Sequence, residues 1–224
     1  MAGRHRLRVS GEALTGAWEV GTRASLIVVA VLIVQLFVHT FVAQAYQVPS
    51  ASMENTLKVG DVLVVSRSTP RLAALHHGDI IVFRDPGGWV PADEQPVTHN
   101  RSAGAAATAR SILTFVGLLP ANADANLVKR VIGLPGDVVS CDGTGALTVN
   151  GSRLTERYVY PGDAACTSAF HVTVPSGGLW VMGDHRSDSA DSRYHRNLHD
   201  GAVPISDVLG LVVAVLSHGH LRLV

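Results

Sequence analysis

A chain of 224 residues, 47% of them hydrophobic, can bury one good core, or one domain plus a membrane segment, and this excludes a disordered polypeptide. Basic and acidic residues number 18 each, so the formal net charge is zero, and neither a basic field for nucleic acid nor an acidic tail for a charged partner is present. Only Lys58 and Lys129 among the basic residues are lysine, which raises the question of what arginine could not do at each.

Residues 1–23 form a short N-terminal segment that carries Arg4, Arg6, Arg8 and Arg23. Residues 24–43, "ASLIVVAVLIVQLFVHTFVA", then run without a formal charge, and about 20 residues at a rise of roughly 1.5 Å cross a hydrocarbon layer of about 30 Å. This run reads as a spanning helix, with Gln35 and His39 on one face as tolerated polar residues. Arginines precede the span and only Lys58 follows closely, so the positive-inside rule puts the N-terminus in the cytoplasm and residues 44–224 outside. Ala43-Gln44-Ala45 resembles the small-x-small end of a cleaved secretory signal, the rival reading. The apolar run is longer than the 7–15 residues typical of such signals, which favours an uncleaved anchor.

Past the membrane the pattern is β. "DVLVVS" (61–66), "DIIVFR" (79–84), "LVKRVIG" (127–133), "ALTVNG" (146–151), "FHVTV" (170–174) and "GLWVMG" (178–183) are short, rich in valine and isoleucine, and bounded by turn formers. Asn150-Gly151 is a favoured hairpin pair, and Pro135-Gly136-Asp137 ends the third strand in a turn. The run 208–216 is too short to span a bilayer as a helix and reads as a closing strand. The tract 85–126, with its Pro, Gly and Ala clusters and the apolar "SILTFVGLLP", reads as an insertion or lid that could touch the membrane. Cys141 and Cys166 are even in number, bracket a hairpin and lack CxxC spacing, which favours a disulfide over two free thiols.

The strand 127–133 carries the first chemical signal. Period-two alternation sends Lys129 to one face with Val131 and Arg130 to the other with Val128 and Ile132. A guanidinium does not deprotonate in a protein, whereas a buried ammonium can, and a general base needs that property. Bringing a lysine from about 10.4 to about 7–8 asks for roughly 3–5 kcal/mol of desolvation and like-charge pressure, which an apolar domain can supply. Ser50 and Ser52 in "PSAS" are the natural nucleophile candidates. Downstream, "GDHRSDSADSR" (183–193) loads aspartates, arginines and serines into one segment, as a salt-bridged loop that holds something in register would.

Four stretches, "PSASM" (49–53), "GDIIVF" (78–83), "KRVIGLPGD" (129–137) and "GDHRSDSADSR" (183–193), resemble in order and spacing the four sequence boxes of bacterial type I signal peptidases. The resemblance covers most of 44–224 but neither 85–126 nor the first 20 residues. It implies a mainly β fold: an N-terminal transmembrane helix followed by an extracytoplasmic antiparallel β-sheet catalytic domain. It implies a membrane-anchored serine endopeptidase with Ser52 as nucleophile and Lys129 as general base, in place of a Ser-His-Asp triad. Ser50 and the Ser52 backbone N–H would form the oxyanion hole, and Ser189 would orient the lysine amine. Arg130, Asp184, Asp191 and Arg193 would be structural ion-pair residues, and Met53 would pack below the nucleophile and help bury the lysine. No cofactor or metal is implied. The partners are preprotein signal peptides with small residues before the cleavage site and the lipid bilayer, with no nucleic acid. The enzyme would function as a monomer near the secretion channel, single-pass in the plasma membrane, with its substrate extended against a strand edge near 127–130.

Three departures from the boxes stand out. Ala51 occupies a position that is often glycine, Glu54-Asn55 replace a pair such as Met-Pro, and His185 stands where asparagine is usual. His185 with Asp188 or Asp191 is the mechanistic rival to Lys129, and Lys58 is the alternative base. His195 and His199 would suit a metal only if their stretch were helical. His76, His77, His218 and His220 read as solvated loop residues. A non-enzymatic anchored β-domain is the competing functional class, but such a binder has no reason to keep Ser52 and Lys129 together. A peptidase dedicated to one secretion or conjugation system is a third possibility.

Overall fold

The structure, a computed structural model, describes residues 23, 25–34, 43–67, 75–90 and 126–224. The N-terminal segment up to residue 22, much of the expected span with Gln35 and His39, and 91–125 of the expected insertion lie outside the described residues. Residues 25–34 are helical and their apolar side chains are exposed, Leu26, Ile33 and Val34 by more than half. Among the described residues no helix is long and apolar enough to cross a membrane.

The rest is antiparallel β-structure in two sheets. The larger has eight strands in the order β1-β2-β11-β3-β4-β9-β10, with β12 added to β11. Its strands are β1 (Ala43–Gln47), β2 (Val62–Ser66), β3 (Ile80–Arg84), β4 (Asn126–Gly133), β9 (Gly178–Met182), β10 (Val203–Pro204), β11 (Val208–Ser217) and β12 (His220–Leu223). The smaller, four-stranded sheet has the order β7-β6-β5-β8. It consists of β5 (Val138–Cys141), β6 (Leu147–Val149), β7 (Ser152–Arg153) and β8 (Phe170–Thr173). Asn150 and Gly151 both take positive φ, 52° and 78°, and so form the two-residue turn between β6 and β7.

β4 holds the fold together. It pairs with β3 through Ile81↔Lys129 and Val82↔Val128, and with β9 through Arg130↔Met182 and Val131↔Val181. The alternation expected along it does not produce a solvated face, because apolar clusters cover both sides. Val128 joins Tyr46, Leu63 and Met53, while Val131 joins Phe83, Leu179 and Val203. Ile132 belongs to a third cluster with Trp180 and the small-sheet residues Val139 and Leu147. The charged residues of this strand, Lys129 and Arg130, are therefore buried at 3% and 8% exposure. The pairing with β9 begins only at Arg130, so among the described residues no strand covers the other edge of 126–129.

The tract from residue 85 begins as ordered framework. The Asp85 carboxylate accepts the backbone N–H groups of Gly87, Trp89 and Val90, and Trp89 packs edge-on against Phe83 with ring centroids 5.7 Å apart. Cys141 and Cys166 are disulfide-bonded with Cα atoms 6.3 Å apart, and both sulfurs lie in the cluster of Trp180 and Phe170. The bond ties β5 to a long connection with no strand of its own. Replacing both cysteines by serine is therefore expected to lower unfolding stability by about 2–4 kcal/mol, read by denaturant melts. An unchanged midpoint would show that apolar packing alone holds this connection.

Candidate active site

The chain leaving β1 turns through a short 3-10 segment, Ala51–Met53, that carries Ser52. Ala51 needs no left-handed backbone there. The positive φ of this turn, 83°, falls on Asn55, whose side-chain amide donates to the carbonyls of Tyr158 and Val159. Met53 beneath the turn is 1% exposed and sits in the cluster with Val128 and Ile80. This packing fixes the height of Ser52 over the sheet.

Lys129 Nζ lies 2.5 Å from Ser52 Oγ, 77 residues away in sequence. Burial drives the pKa of this lysine from 10.5 down to about 8, against the opposing pull of Asp191, Asp188 and Asp184. Desolvation prevails, the Arg193 charge works in the same direction, and Asp191 and Asp184 already hold other partners. Asp191 accepts from Arg193 Nε and Nη2 at 2.8 Å each, from Ser189 Oγ at 2.8 Å and from the Gly183 N–H at 3.0 Å. Asp184 takes Arg130 Nε at 2.8 Å and Nη2 at 2.6 Å, and also accepts the Thr56 hydroxyl. Arg130 in turn donates to the Gly78 carbonyl and stacks over the Tyr158 ring at 4.0 Å. The Asp191 contacts brace the 183–193 loop internally, while Asp184 joins that loop to Arg130 on β4 and to Thr56 beyond the nucleophile turn.

Ser50 Oγ lies 3.3 Å from Ser52 Oγ and is solvent-exposed. Ser189 is 7% exposed and donates to Asp191, which leaves its oxygen lone pairs free to accept from an amine. Gly183 separates the two halves of the site: a Cβ there would stand 2.3 Å from Ser189 Oγ and 2.4 Å from the Ser52 carbonyl. Sequence reasoning quoted Gly183 within its box without assigning it a part, and it passed over Thr56, Tyr158 and Glu156. Glu156 forms a buried pair with Arg186 at 2.5 Å, while the Arg186 Nε donates to the Gly183 carbonyl. A lone glutamate between strands carries no sequence signal for such a contact.

Among the described residues, no rival side chain bonds Ser52 Oγ. The His185 imidazole stacks on Tyr160 with centroids 4.0 Å apart, and its Nδ1 faces Glu54, while Ser52 Oγ is bonded by Lys129 and Ser50. Lys58 is exposed, and its backbone N–H is bonded to Asp61. His195 lies outside any helix and His199 opens the short 3-10 segment His199–Gly201, so the two do not share one helix, and the His195 ring stacks on Trp89 at 4.6 Å. His77 is not a merely solvated loop residue, since its Nε2 lies 2.7 Å from Asp137.

A serine hydroxyl held against a buried, partly neutral amine has the elements of a nucleophile and its base, the chemistry of a hydrolase that works without histidine. The family model "Signal peptidase, peptidase S26" matches residues 21–217, and the chain belongs to this family of hydrolases, the bacterial type I signal peptidases. It is 37% identical to a probable signal peptidase I of Mycobacterium leprae, over 90% of this chain and 79% of that protein. To the signal peptidase I of Mycobacterium tuberculosis it is 38% identical, over 84% and 69%. A signal peptidase I of Enterococcus faecalis, known from its crystal structure, aligns with 62% of this chain and 97% of its own at 26% identity, with a TM-score of 0.38.

Proposed function

We propose that this chain is a membrane-anchored serine endopeptidase that removes N-terminal signal peptides from exported preproteins at the outer face of the cytoplasmic membrane. The observation that carries the reading is the buried 2.5 Å contact between Lys129 Nζ and Ser52 Oγ. In the neutral state the amine takes the Ser52 proton as Oγ attacks the scissile carbonyl. The oxyanion that develops is met by the Ser50 hydroxyl and the Ser52 backbone N–H. The ammonium of Lys129 then protonates the leaving amine, and the acyl group stays on Ser52. Deacylation repeats the sequence with water as nucleophile, Lys129 taking its proton and returning it to Ser52. Ser189, tied to Asp191, holds the amine in line.

The substrate lies extended along the uncovered edge of 126–129 and adds a strand there, with small residues before the scissile bond in shallow pockets. The run 24–43 keeps the site beside the bilayer, where the cleavage site emerges, and a monomer near the secretion channel suffices. Detergent-solubilised full-length protein is expected to cut a preprotein once, after a small-x-small sequence, with both products seen by mass spectrometry. Ser52→Ala is expected to give neither product. Cleavage by Ser52→Ala at the normal rate would end the reading.

Ser50 supplies a graded test. Loss of one oxyanion donor costs about 10²- to 10³-fold in turnover, so Ser50→Ala should be slow but measurable and Ser50→Thr nearer the parent. Steady-state kcat decides it, and an unaffected Ser50→Ala enzyme would remove this hydroxyl from the oxyanion hole.

A further inference from the structure

Two of the three departures from the family's boxes, Glu54 and His185, face each other across the nucleophile turn. His185 Nδ1 is buried, makes no hydrogen bond, and lies 3.4 Å from Glu54 Oε2, within ion-pair range but outside hydrogen-bonding geometry. Everything around this gap is fixed. The ring of His185 stacks on Tyr160, and the Tyr160 N–H donates to the carbonyl of Asp184. The His185 N–H donates to the Ser52 carbonyl at 3.1 Å, and the Glu54 N–H closes the nucleophile turn on Ala51 at 2.8 Å. The two side chains thus extend from residues whose backbone N–H groups already hold the turn, one at the Ser52 carbonyl and one at the Ala51 carbonyl. A buried nitrogen without a partner is costly, and hydrogen bonds in a resting site are often long and tighten only when substrate is bound.

We propose that Glu54 and His185 form a brace that closes as Ser52 attacks the bound substrate: His185 Nδ1–H donates to Glu54 Oε2 and draws the turn 51–54 onto the loop 183–191. They are positioning residues for Ser52, acting on neither substrate nor proton. This rests on Ser52 as the nucleophile. The brace tightens only as Ser52 attacks the bound peptide, so it is made in the transition state and not in the resting complex, and its loss lowers kcat and leaves KM in place.

The test is steady-state cleavage of a preprotein by the full-length protein. Glu54→Ala and His185→Phe, the latter keeping a ring on Tyr160, are each expected to lower kcat roughly 10-fold, the usual weight of a hydrogen bond to a charged group, with KM unchanged. The double variant should be no slower than the slower single, and Glu54→Gln, which keeps an accepting oxygen, should recover most of the rate. A single variant at the parent kcat, losses that multiply in the double variant, or an effect confined to KM would each overturn the brace. The Glu54 side chain is 35% exposed, so the Glu54→Ala and Glu54→Gln pair decides the matter even if His185→Phe does not fold. Lys129→Arg, measured beside them, separates the two ideas. If it is dead while Glu54→Ala runs at the parent rate, the brace fails alone. If Lys129→Arg cleaves normally, the Ser52–Lys129 reading fails and the brace falls with it.

Discussion

Lys129→Arg is expected to abolish preprotein cleavage, because arginine keeps the positive charge and much of the reach but cannot give up its proton. With the base held cationic, Ser52 has no group to accept its proton at 2.5 Å, and the expected loss is at least the roughly 10²- to 10⁴-fold that general-base catalysis supplies. Lys129→Met should be equally inactive and provides a second arm if an arginine is poorly accommodated in so buried a position. The parent's rate should climb from acid toward alkaline pH and level off above about 8, where burial leaves the Lys129 amine neutral. The sign for stability runs the same way. Between about 8 and 10.5 the unfolded chain holds a proton on Lys129 that the folded one has released, so stability rises with pH across that window. Lys129→Met should lose this component of the pH dependence. A Lys129→Arg protein that cleaves at a near-normal rate, with His185→Ala dead, would identify histidine as the base.

Gly183→Ala should cripple the site through the addition of a single methyl group. Its Cβ would fall 2.3 Å from Ser189 Oγ, 2.4 Å from the Ser52 carbonyl and 2.6 Å from Ser189 Cβ, all inside normal contact. The backbone cannot yield easily, because the Gly183 N–H is bonded to Asp191 and its carbonyl to Arg186. What gives way is the separation between the Ser52 turn and the Ser189 loop, and a displacement near 1 Å can cost about 100-fold. Turnover of a protein that still folds, judged by circular dichroism, tests this. Parent-like turnover would mean that the two halves of the site tolerate being pushed apart.

Much of this architecture was legible in the sequence where it rests on local pattern. The valine- and isoleucine-rich runs coincide with β2, β3, β4, β9 and β11 to within a residue or so. The valine pair of β5 was passed over, whereas β1 and β12 escaped because their cause lies elsewhere in the chain. Ala43–Gln47 has little β-propensity and becomes β1 through its register with Val62–Ser66. β12 is exposed at every residue and exists because β11 offers it an edge. The box residues were readable as a set, but their partners were not. Nothing local assigns Arg130 to Asp184 across 54 positions, or Arg186 to Glu156 across 30. The concern over Ala51 dissolves for a related reason: the turn takes its left-handed step at Asn55, four residues on, where contacts to Tyr158 and Val159 favour it.

The 77-residue separation of Ser52 and Lys129 has a bearing on when the chemistry begins. One partner hangs from the exit of β1 and the other lies mid-sheet on β4, brought together only after β2, β11 and β3 have been laid between them. Until that happens, the serine is an ordinary alcohol and the lysine an ordinary amine that stays protonated at neutral pH. With Ser52 and Lys129 as the proposed nucleophile and base, a chain that is still threading or half assembled is expected to have no means of cutting itself or its neighbours, and completion of the sheet is the expected activating event.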